Sequence, residues 1–172
     1  RRLAEAGRFQ EALAAAETAL SRNPEDPAAH EARGRALAGL GKGALASDAF
    51  REAIRNSPPG EADARRKALC DALLAEAERR AATGDLPGAI DALDDALVWD
   101  VDHLACLLRR GAILQEMGRR AEAWQEFETA LRKHPHHPDA LYYASRFHLQ
   151  AQEYDQALPL LRRIIEEASP PP

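Results

Sequence analysis

Residues 133–141 read KHPHHPDAL, with three histidines and two prolines in nine positions. A metal site needs clustered imidazoles, and some His-rich tracts bind metal. Other stretches also carry residues that could do chemistry. GLGKGAL at 39–45 gathers glycines as a phosphate cradle would, but it lacks the GxxxxGK spacing and no strand precedes it. DALDDALVWDVD at 91–102 is rich in carboxylates, yet not in the DxDxDG order that wraps calcium. Cys70 and Cys106 are too far apart for a zinc spacing and too few for a disulfide framework. Buried or half-buried free thiols fit them better. No Ser-His-Asp or Cys-His arrangement emerges from the spacing, so neither catalysis nor a cofactor is expected. A metal at the histidine tract stays open until the elements holding it are known.

The 172 residues are 45% hydrophobic and 30% charged, enough for one domain with a core. Alanine is abundant, aromatic residues make up only 5%, and β-branched runs are missing, which points to an all-helical chain. The formal net charge of −5 argues against a protein built to grip nucleic-acid phosphates. Residues 61–103, with five basic and eleven acidic side chains, account for the whole imbalance. No apolar run approaches the ~18–20 residues of a membrane span, so no membrane partner is expected and the cytoplasm is the favoured compartment. The sequence opens at Arg1 rather than Met, which places the native amino terminus outside it and leaves targeting unread.

Self-similarity supplies the frame. GRFQEALAAAETALSRNPED (7–26), GKGALASDAFREAIRNSPPG (41–60), GDLPGAIDALDDALVWDVDH (84–103), GRRAEAWQEFETALRKHPHH (118–137) and QEYDQALPLLRRIIEEASPP (152–171) align, separated by 34, 43, 34 and 34 residues. Each is expected to open with a turn, continue as a helix, and close at Pro24, Pro58, Val101, Pro135 or Ser169. Helical segments at 27–40, 61–82, 104–117 and 138–151 lie between them. On these first helices one face reads His30, Gly34, Leu37 and Leu107, Gly111, Leu114, the small residue admitting a close neighbour. On the second helices Ala12, Ala46, Ala89, Ala123 and Ala157 share a slot. Ala16, Phe50, Leu93, Phe127 and Leu161 stand four later, and Ala19, Ala53, Ala96, Ala130 and Ile164 three after that. Small, large, small at helical spacing is a packing code for stacked helix pairs. His30 and His148 fall on core-facing slots, and Trp99 and Trp124 suit inter-helix packing.

These residues resemble the tetratricopeptide repeat (TPR) family, most closely over 104–137. There Leu107, Gly111, Leu114, Ala123, Phe127, Ala130 and Pro135 fill the bulky, small and proline slots of the 34-residue pattern. Pentatricopeptide RNA readers share the period, but the paired alanines and the acidic balance speak against them. The resemblance implies an all-α, right-handed superhelix (solenoid) of about five helix-turn-helix repeats. It would be a single domain over 1–172, with repeats at about 1–26 (truncated), 27–60, 61–103, 104–137 and 138–171.

The chain departs from the pattern in places. Arg33 and Arg110 stand where the family usually has Leu. EADARRKAL (61–69) is nine residues in excess, which would lengthen that helix by roughly 13 Å. Glu76 and Arg80 then fall on core slots, four apart and placed to pair; alternatively the register slips and Leu69 and Leu73 are the core positions. Pro87 sits harmlessly near a helix start, whereas Pro159 lies further into its helix and is expected to bend it.

The family usually holds its partner in a concave groove lined by the first helices. By resemblance that face comprises Glu31, Arg35, Leu74, Glu78, Leu108, Ala112, Gln115, Tyr142, Arg146 and Gln150. Leu74, Leu108 and Tyr142 share one slot and would form an exposed apolar ridge, unless long neighbours cover them. The Lys/Asn/Asn/Lys/Arg set of chaperone-binding TPR domains is absent, so a mixed groove for an extended or helical segment is implied. Asp91, Asp94 and Asp95 point outward as a solvated acidic face. The expected function is a non-catalytic scaffold for a protein or peptide. The alternatives are a segment of a larger enzyme or secretion component, or self-association through terminal repeats that lack polar caps.

The repeat also reinterprets the histidines. HPHHPDA occupies the slots of NPEDPAA (23–29), with Pro135 matching Pro24 and Pro138 matching Pro27. His134, His136 and His137 stand where Asn23, Glu25 and Asp26 stand earlier. The tract is expected to be a repeat boundary with solvated polar positions.

Overall fold

The computed structural model describes residues 2–58 and 60–168, so Ser169 lies outside the described residues. Among them the chain forms nine helices and no strand. These are α1 (Arg2–Arg22), α2 (Pro27–Gly39), α3 (Gly43–Arg55), α4 (Ala62–Ala82), α5 (Leu86–Trp99), α6 (Leu104–Glu116), α7 (Arg120–Lys133), α8 (Pro138–Gln150) and α9 (Tyr154–Ala168). They form two compact units, Arg1–Val101 and Asp102–Pro172. In the first, α2 pairs with α3 and α4 with α5, while α1 packs on α2 and α3 on α4. In the second, α6 pairs with α7 and α8 with α9, and α7 packs on α8.

Each hairpin turns on one residue in the left-handed region: Gly41 (φ 73°), Gly84 (φ 85°), Gly118 (φ 76°) and Gln152 (φ 60°). Around it the chain closes on the helix it has left, as Lys42 N–H donates to Leu37 C=O at 2.9 Å and Arg119 N–H to Leu114 C=O at 2.8 Å. Helix starts are set by the boundary residues. Pro27 and Pro138 open α2 and α8, where a missing N–H costs nothing. Asp26 caps α2, accepting from Ala28 N–H at 2.9 Å, and Asp85 caps α5 through Gly88 N–H at 3.0 Å.

Within the units the small-large-small code becomes a core. Ala46, Phe50 and Ala53, then Ala89, Leu93 and Ala96, then Ala123, Phe127 and Ala130 are all buried. Leu37, Leu69, Leu73, Leu107, Leu114 and Leu141 of the first helices are buried as well. Gly34 lies beneath the Phe50 ring and Gly111 beneath the Phe127 ring, where a β-carbon would come within 2.9 and 2.6 Å. Helix propensity forms the elements, and burial of these faces holds them together.

Two expectations need correction, the turn at Gly7 and the burial of Ala12. No turn occurs at Gly7, because α1 runs unbroken through it. Gly7 does not take the left-handed conformation on which the later hairpins turn, so among the described residues no earlier helix folds back on α1. For the same reason Ala12 is exposed, although its slot is buried in later repeats. In α4, 21 residues long against 13 for α2, the extra residues extend the helix. Its two register readings prove compatible: Leu69 and Leu73 are buried, and so is Glu76, paired with Arg80 at 2.8 Å and Arg79 at 2.5 Å. The extension is anchored by Arg65, which meets Glu61 at 3.1 Å and Glu31 of α2 at 3.2 Å.

Candidate functional site

Each unit carries a recess on its first helices. Between α2 and α4, Arg35, Ala38, Ala68, Asp71, Ala72 and Ala75 line a largely apolar recess floored by Phe50. Ala68, Ala72 and Ala75 share one face of α4, spaced four and three apart. Between α6 and α8, Arg109, Ala112, Gln115, Glu116, Arg146 and Gln150 line a polar one. There the Gln115 side-chain amide donates to the Gln150 side-chain carbonyl.

The expected groove residues divide accordingly. Ala112, Gln115, Arg146 and Gln150 come together in the α6/α8 recess, and Arg35 lines the α2/α4 recess. Glu31 is held in ion pairs to Arg35 at 2.6 Å and Arg65 at 3.2 Å. Glu78 is exposed on α4, away from that helix's recess lining. Leu108 is only 5% exposed, Leu74 is half-buried, and Tyr142 is 51% exposed. Leu108 therefore offers no surface to a ridge; slot identity fixes a position on a helix but not what covers it.

Sequence reasoning missed Arg109, Glu116 and the α4 alanines. Arg109 is three residues before Ala112 and shares its helix face, so a wheel drawn from Ala112 finds it. The α4 alanines were hidden by the nine-residue insertion, which obscures that helix's register.

The histidine tract performs structural work. His134 Nε2–H donates to the Asp102 carbonyl at 2.8 Å and is half-buried, contrary to the expected solvation. His137 Nδ1 accepts the Asp139 N–H at 3.2 Å as the cap of α8. His136 Nδ1–H donates to Glu167 at 2.5 Å. Among the described residues no three His, Cys, Asp or Glu side chains converge as metal ligands would. GLGKGAL forms the turn between α2 and α3, and Asp91, Asp94 and Asp95 are exposed on α5, with Asp95 3.4 Å from Arg51.

Several ionisable groups are tuned by their surroundings. Hydrogen bonds from Arg79, aided by Arg80 and opposed by burial, hold the Glu76 carboxyl below the usual carboxylate range. Glu153 is lowered chiefly by its bond from His148, 2.6 Å away, with Arg120 adding to it. Burial, reinforced by the Asp100 and Asp71 carboxylates, pushes the Cys70 thiol up to about 11. Its Sγ–H donates to the Ala96 carbonyl at 3.4 Å. His30 and His148 are both buried, His30 donating to the Pro24 carbonyl at 2.8 Å. Trp124 packs against His148 and Phe147, with ring centroids 4.4 and 5.2 Å away.

Consecutive helix pairs with left-handed turns and alternating small and large core slots define an all-α helix-turn-helix repeat protein. Tetratricopeptide repeat models match residues 1–61 and 114–171, together more than half of the sequence. The chain belongs to the tetratricopeptide repeat family. No curated protein sequence matches it. Among solved structures, MamA is similar at TM-score 0.64 and 16% identity, over 94% of this chain and 90% of that one. YrrB, a TPR protein with an unusual peptide-binding site, is similar at TM-score 0.58 and 20% identity, over 96% and 80%. A tetratricopeptide repeat protein from Parabacteroides merdae is similar at TM-score 0.59 and 21% identity, over 83% and 54%. At these identities the likeness concerns the fold. No helix among the described residues is long and apolar enough to cross a membrane.

Proposed function

We propose that the chain is a non-catalytic scaffold whose first-helix faces hold a peptide or protein segment. The observation that carries this reading is the α6/α8 recess, lined by Ala112, Gln115, Arg146 and Gln150 from two adjacent first helices. The fold shared with YrrB, which has a peptide-binding site, supports it. The apolar α2/α4 recess, with Phe50 at its floor, suits an apolar side chain of such a segment. The reading is unchanged if these repeats are one segment of a larger enzyme or secretion component.

A selection of random displayed peptides on the wild type tests it, each binder being measured again on an Ala112→Trp variant that fills the recess. Binders that lose affinity while the helical circular dichroism is unchanged are expected. Binders indifferent to the substitution, or none at all, would sink the proposal.

A second reading rests on α9, where Tyr154, Leu158 and Ile165 are 58%, 51% and 66% exposed. A face of that kind suits self-association. Light scattering at rising concentration tests it, and a strict monomer would exclude it.

A further inference from the structure

Several arginines are ion-paired: Arg35 with Glu31, Arg66 with Asp63, Arg110 with Glu126, Arg119 with Glu122, Arg120 with Glu153. Arg109 and Arg146 line the α6/α8 recess from its two helices, and both are half-buried. The Nε of each is buried with no hydrogen-bond partner among the described residues, as is that of Arg33. Arg146 is positioned by aromatic rings instead, its guanidinium carbon 5.0 Å from the Tyr143 ring centre and 6.0 Å from that of Tyr142. Neither contact neutralises its charge. Glu116, the one carboxylate in the lining, forms an ion pair with neither arginine, and the Gln115 and Gln150 amides bond to each other. The lining therefore carries a net positive charge within a chain of formal charge −5.

Half-buried guanidiniums are complementary to a carboxylate, which accepts two parallel N–H bonds from one planar fork. The lining on α6 extends from Arg109 to Glu116, about 10 Å at 1.5 Å per residue. That length matches roughly three extended residues at ~3.3 Å each. A segment of that length can lie along the recess and present a side chain to it. From this geometry we infer that the α6/α8 recess takes the side-chain carboxylate of an acidic peptide segment, with Arg109 and Arg146 as its specificity-determining residues. The inference rests on the proposed function, since it assigns a ligand chemistry to the same face.

Three short peptides with one sequence serve as probes. The first contains Glu and is blocked at both ends, the second is the same with Gln for Glu, and the third is the Gln form with a free carboxyl terminus. Binding is read from the side-chain amide NMR signals of Gln115 and Gln150 in the full chain. The blocked Glu peptide should bind at least about tenfold more tightly than the blocked Gln peptide, weaken as salt rises, and lose about tenfold on Arg109→Gln or Arg146→Gln. Arg146→Lys should recover only part of the loss, because it restores charge without the fork.

Equal binding of the Glu and Gln peptides at the recess would overturn the inference and leave peptide binding standing. Equally tight binding of the free-terminus peptide would overturn the side-chain source. If no peptide perturbs either glutamine, the inference falls; displayed peptides displaced by Ala112→Trp would still support the proposed function. The wild-type comparison needs no variant and decides the matter even if a substitution unfolds the chain.

Discussion

Gly111 of α6 lies so close under the Phe127 ring of α7 that a β-carbon would come within 2.6 Å of it. Phe127 is fully buried and has nowhere to retreat. Gly111→Ala should therefore destabilise the chain by about 1–3 kcal/mol of overpacking, offset by up to ~1 kcal/mol of improved helix propensity. Gly7, mid-helix in α1 with open space where its β-carbon would stand, is the control. Gly7→Ala should hold or raise stability by up to ~1 kcal/mol. Urea midpoints that move in the same direction for both variants would contradict this account.

Gln152 takes at the α8/α9 turn the left-handed conformation that Gly41, Gly84 and Gly118 take at the others. Its β-carbon is strained there, so Gln152→Gly should stabilise the protein by about 0.5–1 kcal/mol. A thermal unfolding scan that shows a lower midpoint would refute it.

The buried Glu76 ties Arg79 and Arg80 together on α4. Glu76→Gln should lower stability, by roughly 1 kcal/mol because solvent screens the half-exposed Arg79, since it weakens two charge-assisted bonds to a buried carboxylate. The carboxyl is held below its ordinary value, so its contribution is complete above the unfolded value near ~4.3 and fades as pH falls through the folded value. The wild-type advantage over Glu76→Gln should be constant at neutral pH and shrink in acid. An advantage that grows on acidification would have the wrong sign.

Cys70 and Cys106 are fully buried thiols outside any disulfide, and that of Cys70 is raised to about 11. Neither should react with a maleimide at neutral pH on the folded chain, while both should react promptly in denaturant. Labelling of the native protein at the rate of a free thiol would show that the helix pairs open.

The 34-residue period, the helix pairs and the small-large-small core were legible because each rests on local spacing. Ala123, Phe127 and Ala130 share a helix face whatever they pack on, and Pro138 opens α8 because its ring suits a first turn. The histidine tract was legible as a boundary by the same comparison, although His134 reaching the Asp102 carbonyl was not, since those residues are 32 apart. The candidate site was half legible. Ala112, Gln115, Arg146 and Gln150 meet where slot counting expected, whereas Arg109 was overlooked and Leu108 is covered.

By itself the sequence determined which residues form helices, where the helices turn, and which face of each is apolar, because propensity, capping and period act over a few residues. Tertiary structure alone decided which of the outward residues stay available. It enclosed Leu108, tied Glu31 to Arg65 of the lengthened α4, and brought Arg109 and Arg146 to one recess with no ion pair to either among the described residues. The physical reason is that burial and ion pairing depend on which helix packs beside which, and that depends on the summed geometry of many residues.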